Sequence, residues 1–107
     1  MKISLLTIFP EFFGPALASG MIRAALEKDQ LQVGVVGLRD FTDDAHRTPD
    51  DYPFGGGVGM IMKAEPIHRA LTSLGLAERP GRPVGAHVAL LSPQGRTFTQ
   101  RVAIEYA

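Results

Sequence analysis

Three short apolar runs alternate with helix-forming stretches along this chain of 107 residues, and this alternation constrains the fold more than any other feature. The runs occupy residues 3–9, 31–38 and 87–91. Nearly continuous hydrophobicity is typical of strands that are buried on both faces, as in a parallel sheet. We therefore predict an α/β fold with a mainly parallel sheet and flanking helices.

Helix signals lie between and after these runs. Pro10 opens a helical stretch that Pro15 and Gly20 interrupt, so we expect a short turn and then a helix over about residues 21–28. A second helix is expected to begin at residues 65–66. Its buried stripe and its glycine stop are predicted at Ile67, Leu71, Leu74 and Gly75.

The last helix begins with a capping-box pattern, in which Thr97 is the N-cap and Gln100 follows three residues later. Its predicted apolar face consists of Phe98, Val102 and Tyr106. No stop signal precedes Ala107, so we expect the chain to be cut from a longer protein. A surface turn is predicted at residues 79–83.

Composition limits the class of protein. A hydrophobic share of 45% suits one globular domain rather than a disordered chain. The absence of cysteines excludes disulfides and thiolate chemistry, and the first apolar run is too short for a signal peptide or a membrane span. We therefore expect a cytoplasmic protein. A net charge of zero counts against a nucleic-acid binder, although basic residues outnumber acidic ones in residues 63–107.

A cluster of four glycines, Gly55, Gly56, Gly57 and Gly59, marks a candidate site within a long predicted loop over residues 39–62. Such a cluster indicates a turn with positive φ or a close approach of a ligand to the backbone. The cluster fits neither a Walker A loop nor a dinucleotide fingerprint. A flexible surface connection is the alternative, and we expect the loop to be mobile without substrate.

The same predicted loop carries a polar run before the glycines, which includes His46, Arg47, Asp50 and Asp51. Histidine titrates near neutral pH and arginine forks suit phosphates, so catalysis or phosphate binding is one interpretation. A solvated polar loop is the other. No histidine has a partner at metal-ligand spacing, so we predict no metal site.

A second candidate site is the segment Ser-Pro-Gln-Gly-Arg at residues 92–96, between the third predicted strand and the last helix. Ligands in open α/β sheets bind outside the carboxyl ends of strands, and a helix N-terminus favours negative charge. An ordinary strand-to-helix turn is the alternative interpretation.

Four segments in register resemble the bacterial tRNA (guanine-N1)-methyltransferase family, of the knotted SPOUT class. The first is Ser-Leu-Leu-Thr-Ile-Phe-Pro-Glu-Phe-Phe at residues 4–13. The second joins Arg-Asp-Phe-Thr at 39–42 to His-Arg-Thr-Pro-Asp-Asp at 46–51. The third is the glycine segment at 53–60, and the fourth is Leu-Leu-Ser-Pro-Gln-Gly-Arg at 90–96.

The resemblance implies transfer of a methyl group from S-adenosyl-L-methionine to N1 of the tRNA guanosine just 3′ of the anticodon. It also implies a homodimer whose active sites are shared between subunits. The family fold is an α/β domain whose C-terminal part threads into a trefoil knot around the cofactor. Residues 1–107 would then form an incomplete SPOUT methyltransferase domain, the N-terminal portion of such an enzyme.

Site residues follow from the positions that match the family. The cofactor-contacting segment corresponds to Leu91, Ser92, Pro93, Gln94 and Gly95. The loop beside the target guanine and a polar segment near the tRNA correspond to Gly57, Gly59, His46, Arg47 and Asp50. A bare backbone lets a flipped base approach closely, which gives the glycines a physical reason. Two residues depart from the family pattern: Phe54 replaces a tyrosine, and Pro49 replaces an aliphatic residue.

The family's general base is an aspartate that lies beyond Ala107, with the rest of the knot. N1 of guanine carries a proton at neutral pH, and a base must remove it as the methyl group arrives. We assign that role to no residue here and expect residues 1–107 alone to be inactive. The alternative hypothesis is a standalone α/β module that binds a nucleotide or phosphate without catalysis.

Overall fold

A parallel pair of strands lies at the start of the fold in the computed structural model, which describes residues 1–76 and 85–106. Strand β1 (Lys2–Thr7) pairs with β2 (Gln32–Gly37), and Lys2 lies opposite Gln32. The predicted α/β class with a parallel sheet is therefore confirmed. The turn predicted at residues 79–83 lies outside the described residues.

Helical segments connect the two strands, as the proline and glycine positions predict. They are a 3-10 helix (Pro10–Phe12), α1 (Phe13–Leu17) and α2 (Gly20–Glu27). The Thr7 hydroxyl accepts a hydrogen bond from the backbone N–H of Phe9 at 3.0 Å, where the chain leaves β1. Pro10 occupies the first position of the 3-10 helix, where its missing N–H costs little.

The predicted long loop contains regular structure. A 3-10 helix (Leu38–Phe41) follows β2 directly, and β3 (Asp50–Asp51) pairs antiparallel with β4 (Ile61–Met62). The backbone N–H of Lys63 extends this pairing by donating to the Pro49 carbonyl at 2.8 Å. Residues 39–62 are therefore a short helix, a polar turn and a hairpin with the glycines at its tip.

Helix α3 (Ala64–Ser73) packs against the 3-10 helix Leu38–Phe41. Its buried residues are Pro66 and Ala70, whereas the predicted stripe of Ile67, Leu71 and Leu74 is only half-buried. The buried face is therefore displaced by one residue from the prediction. Leu38 and Pro49 are also buried, so part of the core lies beside the segment that carries the polar run.

The end of α3 confirms the predicted glycine stop. Gly75 has a φ of +72°, and its N–H donates to the Thr72 carbonyl at 2.9 Å. The N–H of Leu76 donates to the Leu71 carbonyl at 2.9 Å. These two bonds form a Schellman motif, which satisfies carbonyls that the last helical turn leaves free.

Helix α4 (Gln100–Tyr106) begins later than its predicted cap. Thr99 rather than Thr97 precedes the helix, and its hydroxyl accepts a hydrogen bond from the Val102 N–H at 3.4 Å. Phe98 therefore lies outside the helix and is 69% exposed. The predicted apolar face is wrong except at Val102, which is buried, because Tyr106 is also partly exposed.

The third predicted strand, at residues 87–91, is wrong. This segment has the apolar sequence typical of a strand but lies in no strand. Leu90 and Leu91 are 86% and 91% exposed. A strand has no hydrogen bonds within itself and needs a neighbour. In the part of the chain that the structure describes, β1 and β2 pair only with each other. Both strands are accordingly half-buried instead of buried on two faces.

Candidate functional site

A cleft of about 350 Å³ opens where β1 and β2 end. The carboxyl ends of parallel strands meet at one edge of a sheet, so segments that are distant in sequence converge there. One wall comes from the segment that follows β1, and the other from the end of β2 and the polar run. The lining residues are Ile8, Phe9, Pro10, Glu11, Gly37, Arg39, Asp40 and Arg47.

Hydrogen bonds link the two walls of this strand-end cleft. Arg39 donates from Nε to the Ile8 carbonyl at 3.4 Å and from Nη1 to the Arg47 carbonyl at 3.2 Å. Arg47 donates from Nη1 to Oδ1 of Asp40 at 3.4 Å. The Arg47 and Asp40 side chains remain 68% and 65% exposed. Such a pair adds little stability, and both side chains are accessible to a ligand.

Arg47 has a φ of +52°, in the left-handed region that a non-glycine residue rarely adopts. This conformation costs about 1–3 kcal/mol and persists only where its surroundings hold it. The Arg47 N–H donates to the Asp44 carbonyl at 3.0 Å, and the Asp44 carboxylate accepts from the Thr48 N–H at 3.0 Å. The hydrogen bonds of this turn therefore hold the backbone conformation of Arg47.

A second cavity, of about 240 Å³, lies between residues 41–48 and α3. Arg69 donates hydrogen bonds from both terminal nitrogens to the Asp43 carboxylate. Its Nη1 also donates to the Phe41 carbonyl at 3.4 Å. The Nζ of Lys63 donates to the Thr48 carbonyl at 3.1 Å. These bonds attach residues 41–48 to α3 and to the end of the hairpin.

Hydrogen bonds in this region also stabilise the charged forms of Asp43, Asp44 and Arg69. The hydrogen bond from Arg69 lowers the pKa of Asp43, and Asp43 in turn raises the pKa of Arg69. Hydrogen bonds from Thr48 lower the pKa of Asp44. Both carboxylates are therefore ionised at neutral pH and act as acceptors only.

The four glycines form the tip of the β3–β4 hairpin and confirm the need for positive φ. The φ angles are +86°, +82°, +134° and +108° at Gly55, Gly56, Gly57 and Gly59. The Gly56 N–H donates to the Pro53 carbonyl at 3.1 Å. Phe54 and Val58 are fully exposed beside the glycines. The tip therefore presents bare backbone and two apolar side chains to solvent.

The predicted cofactor segment forms a tight, exposed turn before α4. The Gly95 N–H donates to the Ser92 carbonyl at 3.0 Å, and the Gln94 N–H donates to the Ser92 hydroxyl at 3.2 Å. A Cβ atom on Gly95 would meet the Ser92 carbonyl oxygen at 3.2 Å, so a side chain at this position would require that oxygen to shift by a few tenths of an ångström. This turn lines neither of the two cavities described above.

Metal-binding and membrane-spanning features were searched over residues 1–76 and 85–106. No group of three or more histidine, aspartate or glutamate side chains is placed to hold a metal ion there. None of the helices in the same ranges has the length and apolar character needed to cross a membrane.

The fold and motifs match one family over the whole chain. A family model described as tRNA (Guanine-1)-methyltransferase TrmD matches residues 1–107. The chain belongs to this family. A tRNA (guanine-N(1)-)-methyltransferase of Koribacter versatilis is 47% identical over 105 residues, which cover 98% of this chain and 39% of that protein. The Bacillus subtilis enzyme of the same name is 42% identical over 107 residues, or 42% of its length.

A solved structure shares the fold of this TrmD family member. The crystal structure of tRNA (m1G37) methyltransferase from Aquifex aeolicus superposes with a TM-score of 0.64 at 32% identity. The superposition covers 69% of this chain and 33% of that one. The chain thus spans about two fifths of the length of the curated relatives it matches.

The predicted substrate residues of this chain fall into two groups. Arg47 lines the strand-end cleft, and His46, which precedes it in the chain, is exposed. Asp50 lies in β3, and Gly57 and Gly59 lie in the hairpin tip that follows. The predicted cofactor turn is a third feature, and its role stays a prediction.

Sequence reasoning assigned no site role to Phe9, Glu11, Arg39 or Asp40, which line the strand-end cleft. Their position at or just after the ends of two apolar runs was the available signal, because ligands gather at the carboxyl ends of parallel strands. The attachment of Asp43 to Arg69 had no such signal, since the two residues are 26 positions apart.

Proposed function

We propose that this chain forms part of an enzyme that transfers a methyl group from S-adenosyl-L-methionine to N1 of the tRNA guanosine 3′ to the anticodon. The family match over residues 1–107 carries the proposal. It favours the methyltransferase over a standalone binding module, because the named relatives are tRNA (guanine-N(1)-)-methyltransferases.

The hairpin tip is the proposed wall of the guanine pocket. Gly57 and Gly59 have no side chain to hold a base away from the backbone, and among the described residues only Pro53 comes within 4 Å of a Cβ built on either one. A base taken out of its stack needs such close walls, with apolar groups on its faces. The exposed Phe54 and Val58 are apolar groups of that kind.

The polar run is the proposed tRNA contact. His46 and Arg47 are exposed, and Asp50 is half-buried at the start of the hairpin. An arginine and a histidine next to each other suit a phosphate or a base edge. Contacts within the chain hold the Arg47 backbone in its strained conformation, and its side chain donates to Asp40 at 3.4 Å without tRNA.

The turn from Leu91 to Gly95 is the proposed contact for S-adenosyl-L-methionine, which supplies the methyl group when bound. The exposed polar residues of the turn and the Leu91 side chain suit one side of a cofactor that has both polar and apolar parts. The turn supplies one wall only, and the proposal places the other walls and the general base outside residues 1–107. A homodimer with shared active sites and a cytoplasmic location complete the proposal on the basis of the family.

A methyl-transfer assay tests this function. The protein, at the length that its gene encodes, is incubated with unmodified tRNA and S-adenosyl-L-methionine labelled on the methyl group. We expect label in the tRNA and a reverse-transcription stop at the guanosine 3′ to the anticodon. Transfer to another nucleotide, or no transfer, would refute the proposal.

Residues 1–107 alone provide the second arm of the test. Because the turn is exposed and lines neither described cavity, we expect titration calorimetry to detect no tight binding of S-adenosyl-L-methionine by this segment. Tight binding would show that the cofactor site is complete within these residues. Binding of a mononucleotide without the cofactor would favour the standalone module.

A further inference from the structure

We propose that the strand-end cleft binds one guanine base of the RNA substrate. The proposal rests on the proposed function for the identity of the ligand as RNA, but its residues are different from the hairpin tip. The cleft lies where two parallel strands end, which is where open α/β sheets bind ligands. Its volume of about 350 Å³ lies within the range of small-ligand pockets, roughly 300–1,000 Å³.

The charges in the cleft favour a neutral ligand over a phosphate. Two guanidinium groups, on Arg39 and Arg47, are matched by two carboxylates, on Glu11 and Asp40. A phosphate site needs an excess of positive charge, because a carboxylate repels the phosphate oxygens. A nucleobase is uncharged and carries both donors and acceptors, so a balanced cleft suits it.

Guanine matches this set of groups better than the other bases. Arginine donates bidentately to O6 and N7 of guanine, and the N2 amine of guanine is a donor that a carboxylate accepts. Arg47 and Asp40 are held side by side by their hydrogen bond at 3.4 Å, and both are mostly exposed. Adenine offers N7 as an acceptor and N6 as a donor, so it lacks the pair of acceptors that an arginine fork fits.

One wall of the cleft is apolar. Phe9 lines it and is 54% exposed, next to Pro10 at the end of β1. An exposed aromatic ring beside polar groups is the arrangement on which single-stranded bases stack. The Thr7 hydroxyl fixes the backbone of Phe9 through its hydrogen bond at 3.0 Å.

Gly37 keeps Asp40 at the strand end. A Cβ atom at position 37 would lie 3.1 Å from Oδ2 of Asp40 and 3.6 Å from Pro10. Gly37 is buried and its φ of −77° is open to any residue, so space rather than backbone conformation favours glycine here. Gly37→Ala therefore requires the Asp40 carboxylate to shift by a few tenths of an ångström, without changing any charge.

A double-mutant cycle between protein and RNA tests the proposal. The protein, at the length that its gene encodes, is titrated with an anticodon stem-loop RNA whose loop guanosines are replaced by inosine one at a time. Inosine lacks only the N2 amine. We expect Asp40→Asn to weaken binding of the guanosine RNA roughly tenfold. At one loop position, the inosine replacement should weaken binding by the wild type by a similar factor. The same replacement should leave the RNA affinity of the Asp40→Asn variant unchanged.

Controls separate base recognition from structural damage. Glu27→Gln on α2 makes the same charge change in an exposed i,i+4 pair and should leave all affinities unchanged. Gly37→Ala should reduce the discrimination between guanosine and inosine, and Phe9→Leu should weaken both RNAs by the same factor. The proposal would be overturned if Asp40→Asn weakened the binding of every RNA by the same factor. It would also be overturned if RNAs with adenosine in place of guanosine bound equally well at every loop position.

The failure of the proposed function is distinguishable in the same experiment. If the cycle shows coupling between Asp40 and the N2 amine but the wild-type protein transfers no methyl group, the proposed enzyme function is refuted and the guanine-binding cleft is supported. Wild-type protein that methylates the RNA and shows no coupling would refute the cleft alone.

Discussion

Arg69 on α3 donates two hydrogen bonds to the carboxylate of Asp43, which precedes it by 26 residues. A bidentate guanidinium–carboxylate contact fixes the orientation as well as the position of its partner. Asp43 lies just before the turn that holds Arg47 in its left-handed conformation. The geometry of the proposed tRNA contact therefore depends on a helix outside the polar run.

The Asp43→Asn substitution tests this dependence. Asparagine keeps the size of the side chain but removes its charge and one of its two acceptors. We expect faster hydrogen exchange at the backbone amides of Arg47 and Thr48, whose hydrogen bonds lie in the adjoining turn. Amides of β1 should exchange as in the wild type. Unchanged exchange at Arg47 and Thr48 would show that Arg69 does not support the turn.

The lowered pKa values of Asp43 and Asp44 predict a pH dependence of stability. A carboxylate with a lowered pKa in the folded state stabilises the fold above its ordinary pKa of about 3.9, and this contribution is lost as pH falls through the lowered value. We expect the urea midpoint of the Asp43→Asn/Asp44→Asn variant to fall less steeply than that of the wild type below about pH 4. Both side chains are exposed, so the difference should be modest. Parallel curves would contradict the assignment.

The Gly59→Val substitution tests the role of the hairpin tip. Gly59 has a φ of +108°, a conformation that a β-branched residue cannot adopt without strain. We expect methyl transfer to slow by tenfold or more while the affinity for S-adenosyl-L-methionine stays within twofold, if the tip serves the guanine. The measurements are single-turnover methyl transfer and cofactor titration.

Gly14→Ala is the matched control for the hairpin substitution. Gly14 lies in α1 without a positive φ, and a Cβ atom there meets none of the described residues within 4 Å. We expect this variant to behave as the wild type in both measurements. Loss of cofactor affinity in Gly59→Val with tRNA affinity intact would place the hairpin tip at the cofactor instead.

The elements with strong local signals could be predicted from the sequence. The parallel strands β1 and β2, the interrupted first helix and the stop at Gly75 all follow from apolar runs, prolines and a positive-φ glycine. The run at residues 87–91 has the same local signal as β1 but no neighbouring strand in the described residues. The hydrophobic pattern of a segment indicates that it could form a strand, whereas actual strand formation also depends on a neighbouring strand.

The candidate site was predictable only in part, for a related reason. Gly57 and Gly59 carry their own signal, because positive φ is a local property of the chain. The strand-end cleft depends on Ile8 and Arg39 meeting across the sheet, and the polar run depends on Arg69. Contacts of this kind follow from topology and packing, which no window of sequence contains.

The Gly95→Ala substitution tests the proposed cofactor turn. An alanine Cβ at this position would meet the Ser92 carbonyl oxygen at 3.2 Å, and this oxygen accepts the Gly95 N–H at 3.0 Å. The added methyl group therefore requires the Ser92 carbonyl to shift by a few tenths of an ångström, which alters the turn proposed to contact S-adenosyl-L-methionine. We expect the cofactor affinity of the protein, at the length that its gene encodes, to fall at least fivefold, or about 1 kcal/mol, with tRNA affinity unchanged. Gly34→Ala in β2, where a Cβ atom meets nothing within 4 Å in the part of the chain that the structure describes, should change neither affinity. Wild-type cofactor affinity in Gly95→Ala would show that this turn lies away from the cofactor.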